Sequence, residues 1–218
     1  MAGATDLKLA ELAVARVCHD LVGPVGAIIN GVELLAQGKG ALDAEVVGLI
    51  GDSARAASAR LQFYRTALGT ASLHSQPNPL TEARRLAAGL FASSRAKLDW
   101  PQGESTNETA VGRVAVRVML NLVAIALDTL PRGGAVAVAA NFTDAGPSYV
   151  VSARGAEARL AGDIHAALEG RLALADLGPR TIAAYLAERL TQAQGGRLGV
   201  SAPSPEAVEF VLRLPAGV

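Results

Sequence analysis

The sequence predicts an α+β protein, with an N-terminal antiparallel two-helix hairpin that forms a dimeric four-helix bundle and an α/β sandwich behind it. Three observations predict this. Apolar residues recur every three or four positions through the first third of the chain. Ser75-Gln76-Pro77-Asn78-Pro79 breaks that rhythm, because each proline disfavours helix at the residue before it and removes a backbone donor. Beyond the break, helical periods alternate with strand-like ones. The expected division is therefore residues 1–75 and residues 76–218.

From about Asp6 to Gln37 the stripe is Val14, Val17, Leu21, Val25, Ile28, Val32 and Leu35. Gln37-Gly38-Lys39-Gly40 supplies glycines suited to a helix end and a tight connection. A second helix is expected from an N-cap at Asp43, with Val46, Ile50, Ala54, Ala57, Leu61, Tyr64 and Leu68 on one face. Two amphipathic helices have too little mutual surface to bury both stripes, so pairing with a second copy is the expected solution. In the second part, helices are expected at about 81–92, 111–130 and 179–193, and strands near 97–100, 135–142, 149–154, 197–201 and 207–214.

With 218 residues, half of them apolar, the chain can bury a sizeable core. Formal charge is zero and no basic block occurs, which argues against nucleic acid as a partner. The single cysteine, Cys18, excludes an intrachain disulfide and is expected in the core; with no secretory pattern, a cytoplasmic location is expected. The most apolar stretch that might suit a bilayer, Val111 to Leu130, contains Arg113, Arg117, Asn121 and Asp128, so no membrane partner is expected. His74 and His165 lack metal-ligand spacing.

His19 lies two residues past Val17, roughly 200° around a helix, and is expected to face solvent. Its seam reads His19, Gly23, Gly26, Asn30, Glu33, Gln37. Interior glycines cost about 1 kcal/mol each relative to alanine, so Gly23, Gly26 and Gly31 ask for a reason. Either another protein's backbone approaches there, or the glycines admit tight packing between the hairpin helices. A neutral imidazole offers an unprotonated nitrogen near neutral pH, suited to carrying a phosphoryl group, and Asp20 is placed to orient the ring or take its other proton.

Cys18-His19-Asp20-Leu21-Val22-Gly23-Pro24, continued by Ala27-Ile28-Ile29-Asn30-Gly31-Val32-Glu33-Leu34-Leu35, resembles the phosphoacceptor segment of sensor histidine kinases. More closely it is similar to bacterial histidine phosphotransferases of the ChpT type, with their Cys-His-Asp-Leu-x-x-Pro segment. By the same resemblance, the second part follows the order of elements of a histidine-kinase ATP-binding domain whose boxes have decayed. Asn121 matches the first asparagine of the kinase N-box, but its magnesium-binding asparagine corresponds to Ile125, which has no oxygen for a hard cation, and a common lysine corresponds to Asp128. The Asp-x-Gly-x-Gly box has become Ala153-Arg154-Gly155-Ala156-Glu157. The phosphate-cradling turn is reduced to Leu177-Gly178-Pro179-Arg180, and only a short helix fits between Gly155 and Gly178.

The resemblance implies a protein histidine phosphotransferase that does not bind ATP, with His19 and Asp20 as catalytic residues. It implies a receiver domain of a hybrid histidine kinase and response regulators as partners, docking on Gly23, Gly26, Asn30, Glu33, Arg60 and Tyr64. No cofactor or metal is expected on this chain, with magnesium expected on the partner's receiver domain. Two other readings stay open: an ATP-dependent sensor kinase with an atypical nucleotide site, and a non-catalytic decoy that sequesters receivers.

Overall fold

A computed structural model describes residues 2–37, 44–69, 79–101 and 111–216. The expected cap at Asp43, the glycine connection from Gly38, the break at Ser75 to Asn78, and His74 lie outside the described residues. The elements are α1 (Ala2–Ala36), α2 (Ala44–Ala67), α3 (Pro79–Phe91), β1 (Ala96–Asp99), α4 (Arg113–Asp128), β2 (Gly134–Thr143), β3 (Gly146–Arg154), α5 (Gly162–Leu168), a 3-10 turn (Leu174–Asp176), α6 (Ile182–Ala193), β4 (Arg197–Ser204) and β5 (Ala207–Arg213).

The strands form one sheet in the order β1-β2-β3-β5-β4, parallel between β1 and β2 and antiparallel elsewhere. Alternation decides which face is covered. Val136 and Val138, Tyr149, Val151 and Ala153, and Val208, Phe210 and Leu212 are buried at every second position, with half-buried residues between them. Helix α4 covers that face with Val116, Met119, Leu120 and Val123, and α6 adds Ala183, Ala184 and Ala187. The result is a two-layer sandwich.

The hairpin joins this core through its lower end. Phe63, Tyr64 and Ala67 of α2 are buried members of the same cluster, with Val17 and Leu68 packed against it. Gly31 explains the close approach of α1 and α2: a Cβ there would lie 2.5 Å from Cγ1 of Ile50.

Farther up, the stripe divides. Leu21, Ile28 and Leu35 are half-buried in the hairpin, whereas Val14, Val25 and Val32 face outward, Val14 at 62 % exposure. All ten exposed large apolar residues among those described, from Leu7 to Leu61, lie on α1 or α2. Two expectations are corrected here. Cys18 belongs to this outward flank and is exposed, because a position 100° from Val17 leaves the α2 contact. The expected stretch forms α4 (Arg113–Asp128), most of whose apolar residues are buried, whereas among the described residues the helix long and apolar enough to cross a membrane, by length and composition, is α1. Its apolar surface reflects the outward flank, and the same helix carries Lys8, Arg16, His19 and Asp20.

Candidate functional site

His19 stands on α1 with its side chain 80 % exposed, as the helical phase predicts. Its Nδ1 lies 2.8 Å from Oδ1 of Asp20. Burial alone would raise the carboxyl pKa of Asp20, but the Tyr64 hydroxyl, His19 and Arg16 outweigh it and hold the group below the usual carboxylate range. An ionised carboxylate only accepts, so the hydrogen sits on Nδ1 of the imidazole. The lone pair is left on Nε2, which is the nitrogen available to a reaction partner.

Asp20 is held from three sides, and one follows directly from the sequence. Pro24 sits within α1 and has no amide hydrogen, so the carbonyl of Asp20, four residues earlier, loses its helical donor. Arg60 of α2 fills the vacancy, its Nη1 donating to that oxygen at 2.7 Å. On the side chain, Oδ2 accepts from the Tyr64 hydroxyl and from Nε of Arg16 at 3.0 Å. Burial pushes the Tyr64 phenol well above its ordinary value, which keeps it a donor. Tyr64 is itself buried, packed edge-on to Phe63. The expectation that Tyr64 belongs to a docking face is therefore corrected by its burial, while Arg60 is half-buried. Tyr64 holds the Asp20 carboxylate beside His19, and Arg60 holds the main-chain carbonyl of the same residue.

Sequence reasoning missed two members. Arg16 is buried, and its Nη2 donates to Oδ2 of Asp128, on α4, at 2.8 Å. Burial would weaken its hold on a proton, but Asp128, Tyr64 and Asp20 more than offset this, and its pKa is raised. Asp128 is pulled the other way: crowding by protein atoms raises its carboxyl pKa against the attraction of Arg16, and the Asp20 charge adds to the rise. The Arg16–Asp20 spacing of i, i+4 was a readable signal. Nothing local marks Asp128, 112 residues away.

A cleft of about 380 Å³ lies between α1 and the sandwich, with His19 and Asp20 on one wall and Asp128, Arg159, Ile164 and Arg180 among the residues of the other. Toward the N-terminus of α1, Lys8 donates to the carbonyls of Leu174 and Ala175 at 2.7 and 2.9 Å. Above the ring, a Cβ at Gly23 or Gly26 would meet nothing within 4 Å, and Asn30 and Glu33 are exposed. These two glycines are not explained by helix packing, unlike Gly31. Among the described residues no cluster of His, Cys, Asp or Glu is arranged to hold a metal ion.

At the positions matching kinase nucleotide boxes, the side chains do structural work. Asn121 is buried and donates to the carbonyls of Ala67 and Arg117, both at 2.8 Å, tying the end of α2 to α4. Ile125 is 2 % exposed and Ala153 fully buried. Glu157 adopts φ 60°, a conformation suited to the glycine that kinases carry there, and pairs with Arg132 at 2.8 Å. The amide of Gly178 is occupied by the Thr181 hydroxyl at 3.0 Å.

Comparison with known proteins completes the site's description. Residues 80–206 match the model of the histidine phosphotransferase C-terminal domain. The protein phosphotransferase ChpT of Brucella abortus (strain 2308) is 36 % identical over 149 residues, 68 % of this chain and 68 % of the relative. A solved bacterial phosphotransferase superposes with a TM-score of 0.80 at 29 % identity, covering 95 % of this chain and 96 % of that one. The histidine kinase AdeS of Acinetobacter baumannii overlaps more loosely, with a TM-score of 0.49 at 12 % identity over 92 % of this chain and 98 % of that one. With more than half of its length matched to the family and a relative of this identity over two thirds of both chains, this chain belongs to the histidine phosphotransferases of the ChpT type, protein phosphotransferases of the phosphorelay.

Proposed function

We propose that His19 is the phosphoryl carrier, shuttling the group between aspartates of receiver domains without any use of ATP. The Nε2 lone pair attacks the phosphorus of an aspartyl phosphate on the partner. A P–N bond forms as the acyl P–O bond breaks, and the electron pair leaves on the partner's carboxylate. The imidazole keeps its Nδ1 hydrogen, and the positive charge that develops on the ring faces the Asp20 carboxylate. Transfer to the next aspartate runs the same exchange backwards. The observation that carries this reading is the exposed ring tied through Nδ1 to an ionised Asp20.

The partners are the receiver domain of a hybrid kinase on one side and response regulators on the other, each bringing its own acidic pocket and magnesium. They seat over Gly23, Gly26, Asn30 and Glu33, where two side chains are absent and two are exposed. The protein acts as a cytoplasmic homodimer. The outward flank of Val14, Val25 and Val32, with Leu61 of α2, supports a four-helix bundle built with a second copy. Residues 1–75 form the dimerising phosphotransfer part and residues 76–218 the degenerate ATPase-like part.

The test is to mix the full chain with a phosphorylated receiver and magnesium. Acid-labile phosphate is expected on the wild type and none on His19→Ala, which still dimerises and docks. Label retained wholly on the receiver in the presence of wild-type protein would overturn the carrier reading in favour of a decoy.

A further inference from the structure

The α/β part touches the phosphotransfer site through one side chain whose role the chemistry above does not use. Asp128 ends α4, at the position where resemblance to kinases expects a lysine, and its carboxylate takes Nη2 of Arg16 at 2.8 Å. The same guanidinium presents Nε to Asp20 at 3.0 Å, and the far oxygen of Asp20 takes Nδ1 of His19 at 2.8 Å. Four residues thus form a single chain of contacts from α4 to the imidazole. Arg16 is held at two nitrogens, Nε by Asp20 and Nη2 by Asp128, and both lie against the Tyr64 hydroxyl. A second contact from the same helix ties the other arm of the hairpin, since Asn121 holds the Ala67 carbonyl at the end of α2.

We propose that Asp128 is a positioning residue for phosphotransfer: through Arg16 it fixes the Asp20 carboxylate against His19, so that the α/β part serves as a strut for the imidazole. This rests on His19 being the phosphoryl carrier. Without Asp128, Arg16 is free to turn toward solvent or toward Asp20 alone, and the carboxylate keeps the Tyr64 hydroxyl but loses the Arg16 anchor that sets its angle to the ring. The surrounding charges make the balance tight. Arg16 answers two carboxylates, Asp20 and Asp128, while Arg60 engages only the backbone of Asp20, and Arg159 and Arg180 line the opposite wall of the cleft.

A merely structural role and a positioning role differ in what they do to the ring. Free neutral imidazole of histidine favours the Nε2–H form, whereas the site requires Nδ1–H. The experiment is nitrogen NMR on the full chain labelled at histidine, with His19 assigned by His19→Ala, beside phosphate acceptance from a phosphorylated receiver. Wild type is expected in the Nδ1–H form. Asp128→Ala is expected to populate the Nε2–H form and to lower kcat about tenfold with KM for the receiver unchanged. The double variant with Asp20→Ala is expected to be no slower than Asp20→Ala alone, because Asp128 acts through Asp20.

An Asp128→Ala protein with the wild-type tautomer and rate, or effects of the two substitutions that multiply, would overturn the strut. If Asp128→Ala does not fold, Arg16→Lys keeps the charge, loses the fork and is read the same way. If the wild type accepts no phosphate yet Asp128→Ala still shifts the tautomer, the carrier reading fails and the role in phosphotransfer falls with it, while the orientation of the ring by Asp128 stands.

Discussion

Arg60 donates to the main-chain carbonyl of Asp20 at 2.7 Å, taking the place of the amide that Pro24 does not have. A proline five residues after His19 therefore recruits the second helix to the residue beside the imidazole. What looks in sequence like a helix defect becomes a cross-link at the reacting end of the hairpin.

Asp20→Asn removes the charge that selects the Nδ1–H form of His19. It is expected to slow phosphate acceptance about a hundredfold while the receiver still docks with unchanged KM. Rapid-quench kinetics with a phosphorylated receiver check this, and a loss confined to KM would contradict it.

Glycines on α1 are expected to separate by role. Gly31→Ala drives a Cβ to 2.5 Å from Ile50 and should destabilise the hairpin by about 1–3 kcal/mol. Gly23→Ala and Gly26→Ala meet open space and should each stabilise by about 1 kcal/mol. If a receiver backbone seats there, those same two variants raise KM for the receiver. Urea unfolding and transfer kinetics on the three proteins give both readings.

Asp20 also sets a pH dependence. Its folded pKa is below the ordinary carboxylate value of about 3.9, so its contribution to stability is full above that pH and is lost as pH falls through the depressed value. Tyr64→Phe removes a donor to the ionised form and should move this acid limb to higher pH, with a stability loss of about 1–2 kcal/mol near neutrality. Asp128, whose pKa is raised, contributes with the opposite sign, so Asp128→Ala should steepen the acid limb. Acid unfolding of the three proteins, followed by circular dichroism, tests these signs.

Calorimetric titration with ATP and magnesium is expected to give no binding tighter than the millimolar range, and incubation with labelled ATP no self-phosphorylation. Ile125 in the core and the Thr181 hydroxyl on the Gly178 amide remove a metal ligand and an anion donor together. Micromolar binding would restore the sensor-kinase reading.

Much of this architecture was legible because it is periodic. The three-and-four spacing of α1 and α2 and the alternation in β2, β3 and β5 placed every strand and each long helix within a few residues. The orientation of His19 followed from helical phase relative to Val17. Tyr64 was misread because its position on the stripe of α2 says it is buried or paired, without saying which neighbour receives its hydroxyl. Cys18 was misread because the stripe serves two interfaces, and periodicity alone does not tell a face packed within the chain from one left outward. Asp128 was read only as a lost nucleotide contact, since no local pattern joins residues separated by a whole domain.

Ile125 sets what α4 can hold. Replacing it with asparagine would place a carboxamide in the interior of α4 among Leu122, Val123 and Ala126, leaving polar atoms unanswered at about 1–3 kcal/mol each. Asparagine at this position is therefore expected to lower stability and to bring no activity of its own. Hydrocarbon packing here and a magnesium ligand at the same position exclude each other.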